Sequence, residues 1–85
     1  GILYQNTPNP FTHGTSINLM LQEKTYGTLK VYDVTGKELY RLQRDFEKGI
    51  NTIELRADDL GQPGVYYYQF ESKVFSDIKK MIFTL

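Results

Sequence analysis

Acid–base or metal chemistry needs convergent groups: an imidazole, a thiolate, or paired carboxylates at a spacing that the fold can bring together. This chain of 85 residues has one histidine and no cysteine. His13 stands beside Gly14 in a turn-forming stretch and reads as a solvated loop residue. Neither a transition-metal site nor a Ser-His-Asp arrangement has its parts. The carboxylates offer oxygen ligands instead, and Asp58 and Asp59, with Asp33 or Asp77, could supply them to calcium. No loop carries the alternating acidic spacing of a dedicated calcium site, however, and turn formation is the plainer role of Asp. Glu38, Glu47, Glu54 and Glu71 fall on separate strands or turns and form no catalytic pair. The sequence predicts no catalytic residue, no metal and no cofactor.

A second chemistry belongs to the aromatic rings, which can stack on sugars when they stand on an exposed sheet face. Tyr32, Tyr40 and Tyr67 are the candidates to point away from the core. No polar cluster accompanies them, and tyrosines on adjacent strands stabilise a sheet through cross-strand contact alone. Lys79 and Lys80 are the nearest thing to a basic tract. As residues of a terminal strand they serve most simply to deter edge-to-edge aggregation.

The elements that must position these groups follow from composition and period. Ten basic and ten acidic side chains cancel, which argues against nucleic acid or an anionic membrane as partner. A domain of this length buries roughly 60–70% of the surface its unfolded chain exposes and has no room for a deep cavity. Seven Tyr and five Phe, with many Thr, Val and Ile, suit pleated half-buried surfaces. No apolar run approaches the ~18 residues of a membrane helix, and no secretory leader opens the chain.

Along the chain, Ile2-Leu3-Tyr4 is a short first strand, and TSINLML (15–21) alternates Ile17, Leu19 and Leu21 against Ser16, Asn18 and Met20. TLKVYDV (28–34) leads into Asp33-Val34-Thr35-Gly36, a type I turn in which Asp caps backbone N–H groups and Gly takes the left-handed conformation. The return strand, 37–46, carries Leu39 and Leu42 at an odd spacing, which predicts a bulge near Arg41. After a turn at Glu47-Lys48-Gly49, INTIELR (50–56) sets Asn51, Ile53 and Leu55 on one face. ADDLGQPG (57–64) is a loop, VYYYQF (65–70) opposes Tyr66, Tyr68 and Phe70 to Val65, Tyr67 and Gln69, and the last strand runs from about Val74 to Phe83. Leu60-x-x-x-Gly64-x-Tyr66 has the form of a tyrosine corner, which gives Tyr66 a structural role. Seven short strands with no helical period predict an all-β fold, a seven-stranded immunoglobulin-like antiparallel β-sandwich with Greek-key connections. In QNTPNPFT (5–12), Pro8 and Pro10 hold their neighbours extended and cannot continue a sheet, and Phe11 is placed to plug the bottom of the sandwich.

In order and spacing these pieces resemble the C-terminal sorting domains of the type IX (Por) secretion system, type A form. QNTPNPFTHGTSI is similar to the family's entry segment, with Asn6, Pro8, Asn9, Pro10 and Phe11. LKVYDVTGKEL is similar to its strand–turn–strand, with Tyr32, Asp33 and Gly36. GINTIEL with Gly49, LGQPGVYYYQF with Gly64 and Tyr66, and the terminal KKMIF follow in the family's order. Thr7, where an aromatic is usual, His13, where Pro is frequent, and Leu85, where a basic residue is common, depart from the pattern.

The resemblance implies that residues 1–85 are a single non-catalytic sorting domain excised from a larger cargo protein, such as a protease, glycosidase or adhesin, and monomeric in isolation. Its cargo would pass through the periplasm and end at the cell surface or outside the cell. The implied partners are the outer-membrane translocon, a sortase-like protease that then usually removes the domain, and the fused cargo, with no nucleic acid and no small-molecule substrate. The recognition surface is expected to combine the C-terminal strand, carrying Lys79, Lys80, Met81, Ile82 and Phe83, with nearby turns: Lys79 and Lys80 give charge complementarity, Met81 or Phe83 packs, and an edge is open to β-augmentation. A different class of function, an accessory or carbohydrate-contacting module of a secreted glycosidase or protease, shares the same fold.

Overall fold

A computed structural model describes residues 1–85. Alternating side chains produce seven strands: β1 (Ile2–Leu3), β2 (Gly14–Leu21), β3 (Thr25–Asp33), β4 (Glu38–Phe46), β5 (Gly49–Arg56), β6 (Gly64–Ser72) and β7 (Ser76–Phe83). The loop after β5 holds one 3-10 turn, Ala57–Asp59. β3 starts three residues earlier than its apolar alternation suggests, because Thr25, Tyr26 and Gly27 still pair with Phe46, Asp45 and Arg44 of β4.

All pairings are antiparallel, in two sheets ordered β1-β2-β5 and β4-β3-β6-β7. The chain crosses between the sheets from β2 to β3, from β4 to β5 and back from β5 to β6, as Greek-key connections require. The inward faces meet in one core, where Ile17, Leu19, Leu29, Val31, Phe46, Tyr68, Phe70 and Met81 are completely buried. Phe46 meets Phe70 edge-on at 5.4 Å, a geometry that aligns ring edge with ring face. Asn51, Ile53 and Leu55 all point inward as their period predicts. Asn51 is buried among apolar neighbours because its amide accepts from the Glu47 N–H at 2.9 Å and donates to the Glu47 carbonyl at 2.9 Å, fixing the corner between β4 and β5.

The turn at residues 33–36 forms as expected. The Gly36 N–H donates to the Asp33 carbonyl at 3.0 Å, and Gly36 takes φ of 86°. Asp33 Oδ1 accepts from the Thr35 N–H, the Thr35 hydroxyl and the Lys37 N–H. The bulge lies two residues before Arg41, since β3 advances one residue from Val31 to Tyr32 while β4 moves from Tyr40 to Glu38. Leu39 is the extra residue, and with it the strand changes phase. Tyr40 consequently packs against the core rather than facing away from it, while Tyr32 and Tyr67 remain outward as a cross-strand pair.

The strand registers place Gly1 at one pole, with the turns at 22–24, 47–48 and 73–75, and Leu85 at the other, with the turn at 34–37 and the loop at 57–63. The molecule measures 37 Å in its longest dimension.

Candidate functional site

One lateral side of the sandwich, where β1 and β7 are the edge strands, is closed by the segment from Gln5 to Phe11. An exposed edge strand carries unpaired N–H and C=O groups and invites another strand. Prolines cannot donate to a ladder, so this segment closes the edge with short bridges and side-chain amides. Thr7 exchanges two backbone hydrogen bonds of 2.9 Å with Ser16 of β2. Four residues on, the Phe11 N–H donates to the Ile82 carbonyl at 3.0 Å, and the Thr84 N–H donates to the Phe11 carbonyl at 2.9 Å. The strap therefore begins on one sheet and ends on the other. Ahead of the first bridge the Gln5 amide donates to the Lys80 carbonyl at 2.7 Å, and between the two the Ile82 N–H donates to Asn9 Oδ1 at 2.9 Å. Both X-Pro bonds of the strap, Thr7–Pro8 and Asn9–Pro10, are cis.

Side chains beneath the strap hold its path. Asn6, nearly inaccessible, donates from Nδ2 to the Pro8 carbonyl and to Thr15 Oγ1, and the Thr15 hydroxyl itself donates to the Pro8 carbonyl at 2.8 Å. Tyr68 reaches from β6 across the core, where its hydroxyl donates to the Tyr4 carbonyl at 2.7 Å and accepts from the Asn6 N–H at 2.8 Å. Burial pushes the Tyr68 phenol up to about 12, because the phenolate would have to leave water. Phe11 fills the end of the core as expected, stacked on Phe83 with ring centroids 5.5 Å apart. Tyr66 makes the corner bond, its hydroxyl donating to the Gln62 carbonyl.

The five C-terminal candidates do not share a face. Met81 and Phe83 point inward and belong to the core. Lys79 lies on the same side of the strand, half-buried at the sandwich opening, with its ammonium 3.9 Å from Asp77. Lys80 and Ile82 point outward from the four-stranded sheet, next to Tyr67 and Val65 respectively. The β7 edge from Lys80 to Thr84 is already occupied by the strap, so a strand from a partner finds no free ladder there.

Asp33 is committed to its turn, and the Thr35 hydroxyl first, then the backbone N–H groups of Lys37 and Thr35, hold its carboxyl below the ordinary value. Asp58 and Asp59 lie within the 3-10 turn, where Asp59 accepts from the Arg56 N–H. Nowhere do three His, Cys, Asp or Glu side chains come together. The cavity bounded by Asp33, Lys37, Leu39, Leu60 and Tyr66 is a wide, shallow depression.

The sequence model for secretion system C-terminal sorting domains matches residues 7–84. The chain belongs to this family, the sorting domains of type IX secretion. A comparison with curated proteins returned no match. The matched span begins inside the strap and ends one residue beyond β7, so it takes in both partners of the edge closure. A domain of this kind is a sorting signal rather than a catalyst, and it belongs to a cargo destined for the cell surface or the exterior. In the sorting domain, Asn6, Asn9, Phe11, Asp33, Gly36 and Tyr66 all serve the fold through the contacts described above. Gln5 and Tyr68 complete the strap's attachment, and nothing in their local spacing marks them for it.

Proposed function

We propose that the domain is the terminal address label of a cargo protein fused ahead of residue 1, read in its folded form in the periplasm by the outer-membrane type IX translocon. A sortase-like protease then removes it as the cargo is released or joined to the surface. The observation that supports this reading most is the family match over 7–84, laid on a fold in which the family's motif residues close a neutral sandwich. Attachment of cargo at the pole of Gly1 leaves the opposite pole and both sheet faces accessible. Lys79, Met81 and Phe83 contribute by holding β7 in place, and Lys80 and Ile82 form the part of the strand that a partner touches.

The test is to fuse residues 1–85 behind a fluorescent protein carried to the periplasm of a type IX-competent host. Fluorescence at the cell surface or in the medium is expected. Retention of an intact, folded fusion in the periplasm overturns the proposal.

A further inference from the structure

The two outer faces of the sandwich differ in what they leave unsatisfied. On the three-stranded sheet, Ser16 of β2 donates to Glu54 of β5 at 2.9 Å, and Thr52 donates to Asn18 at 2.8 Å. That face spends its polar groups on itself. The four-stranded sheet presents three cations outward: Lys30, Arg41 and Lys80. Lys30 is paired with Glu71 at 2.9 Å, and Arg41 grips Glu38 through two hydrogen bonds of 2.9 and 3.0 Å. Their hydrogen-bonded carboxylates raise both basic groups above their ordinary values. Lys80 alone of the three has no acidic group within ion-pair distance.

The surroundings of Lys80 are apolar. Its register neighbour on β6 is Tyr67, which in turn neighbours Tyr32 on β3. Ile78 and Ile82 flank it on its own strand, and Ile78 is 52% exposed. A free cation set among isoleucines and a tyrosine pair is a recognition patch: apolar area supplies burial, and one unanswered charge supplies orientation and selectivity. In a domain of zero formal net charge, this local charge does not serve bulk attraction to a polyanion.

Resting on the sorting function proposed above, we infer that the outer face of β6 and β7, centred on Lys80 and bounded by Tyr67, Ile78 and Ile82, docks onto a protein surface that presents a carboxylate within an apolar patch. The contact is made by side chains of a sheet face; the strap keeps the backbone edge of β7 out of it. Like charge at such a contact is repulsive, and a tenfold loss of affinity corresponds to about 1.4 kcal/mol.

The experiment uses the same 1–85 reporter fusion with four variants. Lys80→Glu and Ile78→Glu are expected to reduce export at least about tenfold, because one repels the carboxylate and the other desolvates a new charge against the partner. Lys80→Arg keeps the charge and is expected to export as the parent does. Arg56→Glu makes the same charge change on the opposite sheet and is also expected to export normally. Thermal unfolding of each purified variant separates surface effects from folding, since Lys80 and Ile78 are exposed and make no core contact. Normal export of folded Lys80→Glu and Ile78→Glu overturns the assignment, as does equal loss with Arg56→Glu. Co-sedimentation of the parent domain with phosphatidylcholine–phosphatidylglycerol vesicles, abolished by Lys80→Glu, would make the occupant a membrane and also overturn it. Failure of the parent fusion to leave the periplasm refutes the sorting function itself, and the docking face with it.

Discussion

Replacement of Tyr68 by Phe removes one oxygen atom from the centre of the strap's attachment. That oxygen satisfies two backbone groups, the Tyr4 carbonyl and the Asn6 N–H. Asn6 is 2% exposed and Tyr68 not at all, so the Asn6 N–H has no ready access to water in the variant. A buried group left unpaired costs about 1–3 kcal/mol, whereas the Tyr4 carbonyl, on a half-exposed residue, recovers part of its loss by solvation. The expected sum is about 2–4 kcal/mol. For a domain of this size each kcal/mol corresponds to roughly 4–8 °C in Tm, so the variant should melt lower by at least about 8 °C and by up to about 30 °C.

The same substitution has a signature in pH. The phenol titrates near 10 in an unfolded chain and is pushed up to about 12 in the fold. Stability that depends on a neutral Tyr68 is complete below pH 10 and is lost as pH rises from 10 towards 12, because only the unfolded chain ionises in that window. At 1.36 kcal/mol per pKa difference of one, the loss is about 2–3 kcal/mol. Urea unfolding of parent and variant across pH 7 to 11.5 isolates this from every other titration, since all other groups are common to both. The gap in stability should stay constant to about pH 10 and then narrow. Parallel curves, or a variant as stable as the parent at neutral pH, would refute the reasoning.

Three further outcomes follow from the same contacts. Phe11→Ala empties the slot against Phe83 and should cost about 3–5 kcal/mol in urea unfolding; a loss under about 1 kcal/mol would mean the strap does not seat its aromatic end. Asn9→Ala leaves the Ile82 N–H facing solvent, so global stability should change by less than about 1 kcal/mol, while hydrogen exchange at the Ile82 amide accelerates well beyond that at core amides. Asp33→Ala should flatten the acid limb of the stability curve: the Asp33 carboxyl sits below its ordinary value of 3.8, so its contribution is present above that pH and disappears as pH falls through the lower folded value. An acid limb identical to the parent's, followed by circular dichroism, counts against the turn geometry.

How much of this was legible in sequence depended on the range of the interaction. The strands declared themselves because burial on one face imposes a period of two, as in Ile17, Leu19 and Leu21. The turn at Asp33–Gly36 and the corner at Tyr66 were readable because their partners lie within four residues. Tyr40 was not, since one extra residue inverts every side chain on one side of a bulge and the spacing of Leu39 and Leu42 located that residue only to within a few positions. On β7 the apolar signal was mixed: Ile78 and Ile82 face out while Met81 and Phe83 face in, so hydrophobicity alone did not phase the strand. The strap's bonds were invisible for another reason. Gln5 to Lys80 and Asn9 to Ile82 are separated by 75 and 73 residues, and single side-chain-to-backbone contacts at that separation leave no period to detect.

That separation also governs how the signal comes into being. Strap and last strand complete one another: without Lys80–Thr84 the strap loses the carbonyls and N–H groups it binds at the last strand, and Phe11 loses the ring it stacks on. Without Met81 and Phe83 the core opens at the same end. A chain lacking those last residues therefore cannot close the side of its sandwich, whatever its first residues are. A loss of export on C-terminal truncation would accordingly report the missing closure before any missing contact with a partner. The residues that can be changed without touching the closure, Lys80 and Ile78, are the ones able to separate recognition from folding. Contacts spanning more than seventy residues require loop closure to precede them. The strap, arriving first in the chain, can pair with Ser16 of β2, but its Phe11 end has no partner until β7 is in place. The finished surface exists only on a sorting domain whose two ends are both present and joined.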